Sequence, residues 1–142
     1  MENKGQISAE YLLTVVVILI IIATVSIPLV GKSVNDTMDI SQSADVEKTV
    51  NSIANAVNLV YANGPGAKRT ISVYMPITLS LTTDGSNIRM SVPLNANGPK
   101  IIEAKINHPV VISPSDFSKG WHNVTVTWPV DDTTTPINIS HT

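Results

Sequence analysis

The sequence predicts an α+β fold, a long N-terminal hydrophobic α-helix followed by a small antiparallel β-sheet domain. Three observations carry this. Residues from Tyr11 to Val30 form an apolar run without one charge. Val46, Val50, Ile53, Val57 and Val60 then recur at helical spacing. After Gly66 the apolar period becomes two, the period of a strand with one buried face.

The 142 residues allow one modest globular domain plus a long element. Charged residues are 14% and the net charge is −2. Residues 1–66 carry three Lys against six acids, and residues 67–142 carry six Lys or Arg against five acids. Neither half is a polycation, so no nucleic-acid partner is expected. The chain has no Cys. That excludes disulfides, a thiolate nucleophile and zinc-thiolate or iron–sulfur sites. A small extracytoplasmic domain without disulfides needs another source of stability, and packing against neighbouring copies is one.

About 20 apolar residues in a helix, rising ~1.5 Å each, match the ~30 Å hydrocarbon core of a bilayer. Pro28 lies inside this run and is expected to loosen or kink it. The amphipathic second part of the helix spans 31–63, with Val34 and Met38 extending the stripe upstream. Asn63-Gly64-Pro65-Gly66 is a strong stop. A helix from Ile7 to Ala62 would be ~84 Å long. Its N-terminal half then needs lipid or other copies of itself as cover.

Residues 67–142 read as the β domain. Ile71, Val73 and Met75 form one alternating run, and Ile77, Leu79 and Leu81 a second. Ile88, Met90, Val92 and Leu94 form a third, with Thr83-Asp84-Gly85-Ser86-Asn87 as the hairpin turn between them. Ile102, Ala104 and Ile106 follow. Val124, Val126, Trp128 and Val130 share a further apolar face, and Ile137 and Ile139 make the last strand. The Val46-to-Val60 stripe is the expected cover for these faces. Asp131 and Asp132 read as a solvated loop.

No arrangement of Ser, His and Asp, no Gly-rich phosphate loop and no paired catalytic carboxylates can be assembled without forcing. The expectation is a non-enzymatic protein with no cofactor and no metal. His108, His122 and His141 lie far apart and none has a His neighbour at ligand spacing. Trp128 reads as core. Trp121, after Gly120, is the more open ring and a possible adhesive or sugar-binding surface.

The informative segment is Lys4-Gly5-Gln6-Ile7-Ser8-Ala9-Glu10-Tyr11-Leu12. A carboxylate at the mouth of a 20-residue apolar helix is costly if it enters an apolar core unpaired. Glu10 could instead lie solvated at an interface, favour a helix N-terminus, or help cap near Ser8. That last spacing is two, not the three of a capping box.

Taken together, Gln6, Ser8, Glu10, Tyr11 and Leu12 resemble the class III signal peptide of archaeal type IV pilin-like proteins, Gln-x-Ser-x-Glu-Tyr-Leu. The resemblance covers about nine residues plus the hydrophobic helix. It implies a leader of residues 1–5 cut between Gly5 and Gln6 by a prepilin peptidase. It implies retention of the helix on the mature subunit, with 11–30 as transmembrane segment and then filament core. It further implies an assembly ATPase and a membrane platform protein as transient partners, and a homo-oligomeric surface filament used in adhesion or attachment. Glu2 departs from the usual basic leader.

Other readings stay open on these residues. One is an ordinary secretory signal cleaved near Ser26, where Thr24 and Ser26 would occupy the small-residue positions. Another is an uncleaved single-span anchor. A third is a tethered adhesin or binding protein, minor pilin-like, that does not polymerise. Asn35, Asn123 and Asn138 each begin an N-glycosylation sequon. Asn123 and Asn138 are expected at strand edges near turns, and Asn35 near the membrane or in packed helix.

Overall fold

The computed structural model describes residues 3–95, 98–130 and 133–142, without the side chains of residues 3–7. Met1, Glu2, Asp131 and Asp132 therefore lie outside the described residues. The chain divides into two compact units, residues 1–37 and 38–142.

Helix α1 runs from Asn3 to Asn63 and contains Pro28. In the first unit every described side chain but Asp36 is exposed. This part of α1 holds an 18-residue window of mean hydropathy 2.9, none of it buried, so the helix is long and apolar enough to cross a membrane. Its threonines bond inward. Thr14 donates to the Glu10 carbonyl at 2.9 Å and Thr24 to the Ile20 carbonyl at 2.7 Å. Hydroxyls satisfied within their own helix remove a cost of placing them in an apolar medium.

In the second unit the rest of α1 packs against strands. Val46, Val50, Ile53, Val57 and Val60 are at most 1% exposed. The predicted stripe is the buried face. Val34 and Met38 are 48% and 56% exposed, so the stripe does not extend to them. Gly64 closes the helix with φ +87°, its N–H bonding the Val60 and Tyr61 carbonyls. That left-handed conformation is open to Gly at little cost.

The strands are β1 (Lys68–Met75), β2 (Leu79–Ser80), β3 (Thr82–Thr83), β4 (Asn87–Val92), β5 (Lys100–Lys105), β6 (Val110–Ile112), β7 (Asp116–Phe117), β8 (Gly120–Thr127) and β9 (Ile137–His141). Among the described residues they form three sheets: β1-β8-β9-β6, β3-β4-β5 and the pair β2-β7. The layout is α+β, but the expected purely antiparallel sheet is corrected. β9 lies between β8 and β6 and runs parallel to β6. The Ile77-to-Leu81 run is also shortened: only Leu79 and Ser80 lie in a strand, β2, Leu81 follows with its N–H on the Ser115 carbonyl, and Thr82 already begins β3 of another sheet.

The β3–β4 hairpin forms where the turn signal placed it. Asp84 accepts bonds from the Ser86 and Asn87 amides at 3.1 and 2.8 Å. Those amides, with the Arg89 guanidinium in contact, hold its carboxyl below the usual carboxylate range. Val130 is 76% exposed, against its expected place on the β8 apolar face. The strand ends at Thr127, before Pro129, which has no amide to donate to a ladder.

Polar side chains of α1 pin the second unit. Asp39 accepts from the Asn95 amide and Nδ2 at 2.8 and 2.9 Å. Thr49 donates to the Tyr74 carbonyl. Asn58 donates to the Lys105 carbonyl and accepts from the Asn107 amide. At the helix end, the Tyr61 ring stacks on both His108 and Trp128, whose own rings are tilted by 42° to each other, and His108 and Trp128 both contact the Thr135 carbonyl. Trp128 is 4% exposed, the core residue its alternation indicates.

Candidate functional site

There are two separate candidate sites: an N-terminal part within residues 1–37 and a part on the four-stranded sheet within residues 38–142. In the N-terminal part, Ser8, Glu10, Tyr11 and Leu12 are exposed along α1. Gly5 and Gln6 fall within α1, and their side-chain surroundings lie outside what is described. The first turn of α1 has no acidic residue, and Glu10 lies beyond that turn. In the uncleaved chain a charge–dipole contribution from Glu10 is therefore small, because such effects fade within the first turn. Beyond Glu10 follows a continuous apolar surface. Leu12, Leu13, Ile18, Leu19, Ile20, Ile21 and Ile22 are each between 50% and 66% exposed.

Soluble monomers rarely leave contiguous apolar surface on this scale uncovered. At about 25 cal/mol per Å² of apolar area, covering it is the largest favourable change left to this unit.

The second part is the outward face of β1-β8-β9-β6. Side chains alternate across a strand. The inward set is Val73, Met75, His122, Val124, Val126, Ile137 and Ile139, all buried. The outward set is Thr70, Ser72 and Tyr74 on β1, Trp121, Asn123, Thr125 and Thr127 on β8, and Asn138 and Ser140 on β9. Register sets Tyr74 opposite Trp121, Ser72 opposite Asn123, and Thr70 opposite Thr125. The Thr70 and Thr125 hydroxyls bond each other at 3.0 Å. The Tyr74 and Trp121 rings lie 5.4 Å apart, tilted by 54°. Trp121 is 73% exposed and Tyr74 37%.

Asn123 and Asn138 thus project from paired strands, not from edges near turns. Asn123 also exchanges backbone bonds with Thr142. Asn35 is exposed on α1. All three sequon asparagines are accessible to solvent.

Sequence spacing did not bring His122 and His141 together, yet their rings meet edge to face at 5.1 Å. Phe117 stacks on His141 with ring centres 3.8 Å apart. The strand pairing of β8 with β9 creates this cluster, and no local signal marks it. His122 Nε2 meets the Ser118 carbonyl at 2.7 Å. His122 Nδ1 and His141 Nε2 are buried without a hydrogen-bond partner. Among the described residues no group of three metal-ligating side chains occurs. An open groove of about 410 Å³ runs between α1 and β1, lined by Ser52, Asn55, Leu59 and Arg69 among others.

Burial holds the His141 pKa below its ordinary 6.5, the charge of a protonated His122 lowers it further, and the Pro114 carbonyl opposes both. The folded state therefore binds a proton less readily than the unfolded chain. Stability should be unaffected above pH ~7.5 and should fall as pH drops through ~6.5 toward the depressed folded value. His141→Phe keeps a ring on Phe117 and should flatten that slope. Urea unfolding of both proteins between pH 7.5 and 5.5 measures it, and equal slopes would refute the assignment.

Compared with family models, with curated proteins and with solved structures, the chain gives no match.

Proposed function

We propose that this chain is the precursor of a subunit of an archaeal type IV pilus-like surface filament. The reading is carried by one observation: an exposed, uncharged helical surface from Tyr11 to Val30 that directly follows the Gln6-x-Ser8-x-Glu10-Tyr11-Leu12 motif. The motif resembles a class III signal peptide, and the surface needs either lipid or like surfaces as cover.

In this mechanism the precursor sits in the membrane through residues 11–30. A prepilin peptidase hydrolyses the Gly5–Gln6 bond and leaves a new α-amine on Gln6. An assembly ATPase and a membrane platform protein then draw subunits from lipid into a homo-oligomer. Apolar helix surfaces replace lipid contacts by contacts with each other. The unit 38–142 faces outward as the coat, for adhesion or attachment, and the protein performs no catalysis.

The test is to isolate the surface form from cells that make it. The mass should correspond to a chain starting at Gln6, and electron microscopy should show filaments from which the same mass is recovered. A start at Met1 or near Ile27 overturns the reading. A Gln6 start without filaments overturns polymerisation and leaves a tethered surface protein.

A further inference from the structure

The exposed aromatic pair Tyr74–Trp121 and the sequon at Asn123 are neighbours on one face, and neither position explains the other unless they act together. Trp121, His122, Asn123, Val124 and Thr125 are consecutive in β8. His122, Val124 and Val126 point into the core, so Trp121 and Asn123 point the same way, outward. Two residues along a strand are ~6.8 Å apart, about the reach from an asparagine amide to a pyranose ring attached to it.

We propose that Asn123 carries an N-linked glycan whose first sugar lies over the Trp121–Tyr74 pair. This rests on the reading above that residues 38–142 face the outside of the cell. Glycosidic C–H groups carry partial positive charge, and the face of an indole carries the negative side of its quadrupole. A pyranose therefore finds on Trp121 an apolar platform that water hydrates poorly. Tyr74 widens that platform across the strand pair. Ser72, opposite Asn123, is small enough to leave the amide open and offers a hydroxyl beside the sugar.

The other sequons lack this arrangement. The register neighbours of Asn138 are Thr127 and Val111, neither of them aromatic. Asn35 stands on α1, where the described ring contacts include none near it.

The modification needs a saccharide on a polyprenyl phosphate carrier and a membrane-bound transferase. The Asn123 Nδ2 forms a bond to the anomeric carbon. The anomeric carbon–oxygen bond to phosphate breaks, the phosphate keeps the electron pair, and one amide proton passes to a base. Transfer precedes the pairing of β8, because in the folded unit the Thr125 hydroxyl is engaged with Thr70 and the Asn123 backbone with Thr142.

Two measurements on the chain from its own cells test this. Trypsin cleaves after Lys119, and residues 120–142 hold no Lys or Arg, so Asn123 and Asn138 emerge in one peptide. Fragmentation of that peptide should place a saccharide on Asn123. Iodide quenching reads the contact. Trp128 is 4% exposed and Trp121 73%, so the quenchable emission belongs to Trp121. The glycosylated protein should quench several-fold less than the same protein after enzymatic sugar removal, and than Asn123→Gln. A bare Asn123 overturns the proposal. So does a sugar on Asn123 that leaves quenching unchanged, or protection of Trp121 that persists in Asn123→Gln, which would assign the platform to a neighbouring subunit. Filament counts and the Gln6 start are read separately, so this result leaves the assembly reading standing or falling on its own test.

Discussion

Replacing Glu10 by Gln should abolish filaments while membrane insertion and Gly5–Gln6 cleavage persist. Glu10 is an exposed acid immediately before an exposed apolar surface. In a filament core its carboxylate would need a partner, and the nearest chemistry that cleavage supplies is the new Gln6 amine of a neighbouring copy. Gln removes the charge of one partner and leaves an ammonium buried and unpaired. Breaking such a pair from one side costs about 3–5 kcal/mol, and the cost recurs at every subunit contact. In that arrangement the apolar surfaces would supply cohesion and the pair would set register, because a slip strands both charges.

If Glu10 acts only at the helix terminus, the same change costs about 1 kcal/mol or less and assembly hardly changes. Glu10→Asp keeps the charge with one methylene less reach, so partial assembly is expected. Each variant is expressed in a host lacking the wild-type copy, processing is confirmed by mass, and filaments are counted. Normal numbers of filaments from processed Glu10→Gln protein would show that this carboxylate does not direct assembly.

The second large effect is on stability. Asp39→Ala should destabilise the unit 38–142 by about 3 kcal/mol. Asp39 is 6% exposed and receives both the amide and the Nδ2 of Asn95. Bonds to an ionised acceptor are worth about 1.5–3 kcal/mol each, and a buried donor left unmet adds its own desolvation cost. Two bonds to one carboxylate are not independent, so the sum is taken below the simple total. For a unit of this size the midpoint of thermal unfolding should drop by about 12 °C or more. Asp39→Asn keeps the shape and one acceptor oxygen, so it should lose less. Thermal unfolding followed by circular dichroism measures both. A change within 0.5 kcal/mol for Asp39→Ala would mean that the bond to Asn95 does not hold the segment between β4 and β5.

Local chemistry made much of the second unit readable. The 4-3-4-3 spacing of Val46 to Val60 left a single face to bury, and that face is buried. Asn63-Gly64 ended the helix because the left-handed conformation at Gly64 admits few other residues. Thr83-Asp84-Gly85 made the hairpin because the Asp84 side chain replaces a backbone partner. What stayed hidden depends on long-range pairing. Val110–Ile112 and Asp116–Phe117 are too short to show a period, and Pro109 and Pro114 stand before them. Phe117 is fully buried, yet a lone aromatic between Pro114 and Gly120 gives no pattern. The His122–His141 contact and the outward rung of Tyr74 and Trp121 exist only once register is fixed.

The placement of β9 gives the sheet a clock. β6 and β8 leave the ribosome before β9, yet β9 is the strand that joins them. Until it arrives, one edge of β8 stands bare and β6, with Val110, Val111 and Ile112, has no sheet partner among the described strands. Completion therefore waits for the last strand to be made, and each newborn chain passes through an interval with bare edges on β8 and β6. Crowding of many nascent copies at one patch of membrane would be most hazardous in that interval. A saccharide attached at Asn123 before β8 pairs would be present during it, a bulky hydrophilic group beside an edge that invites the wrong partner.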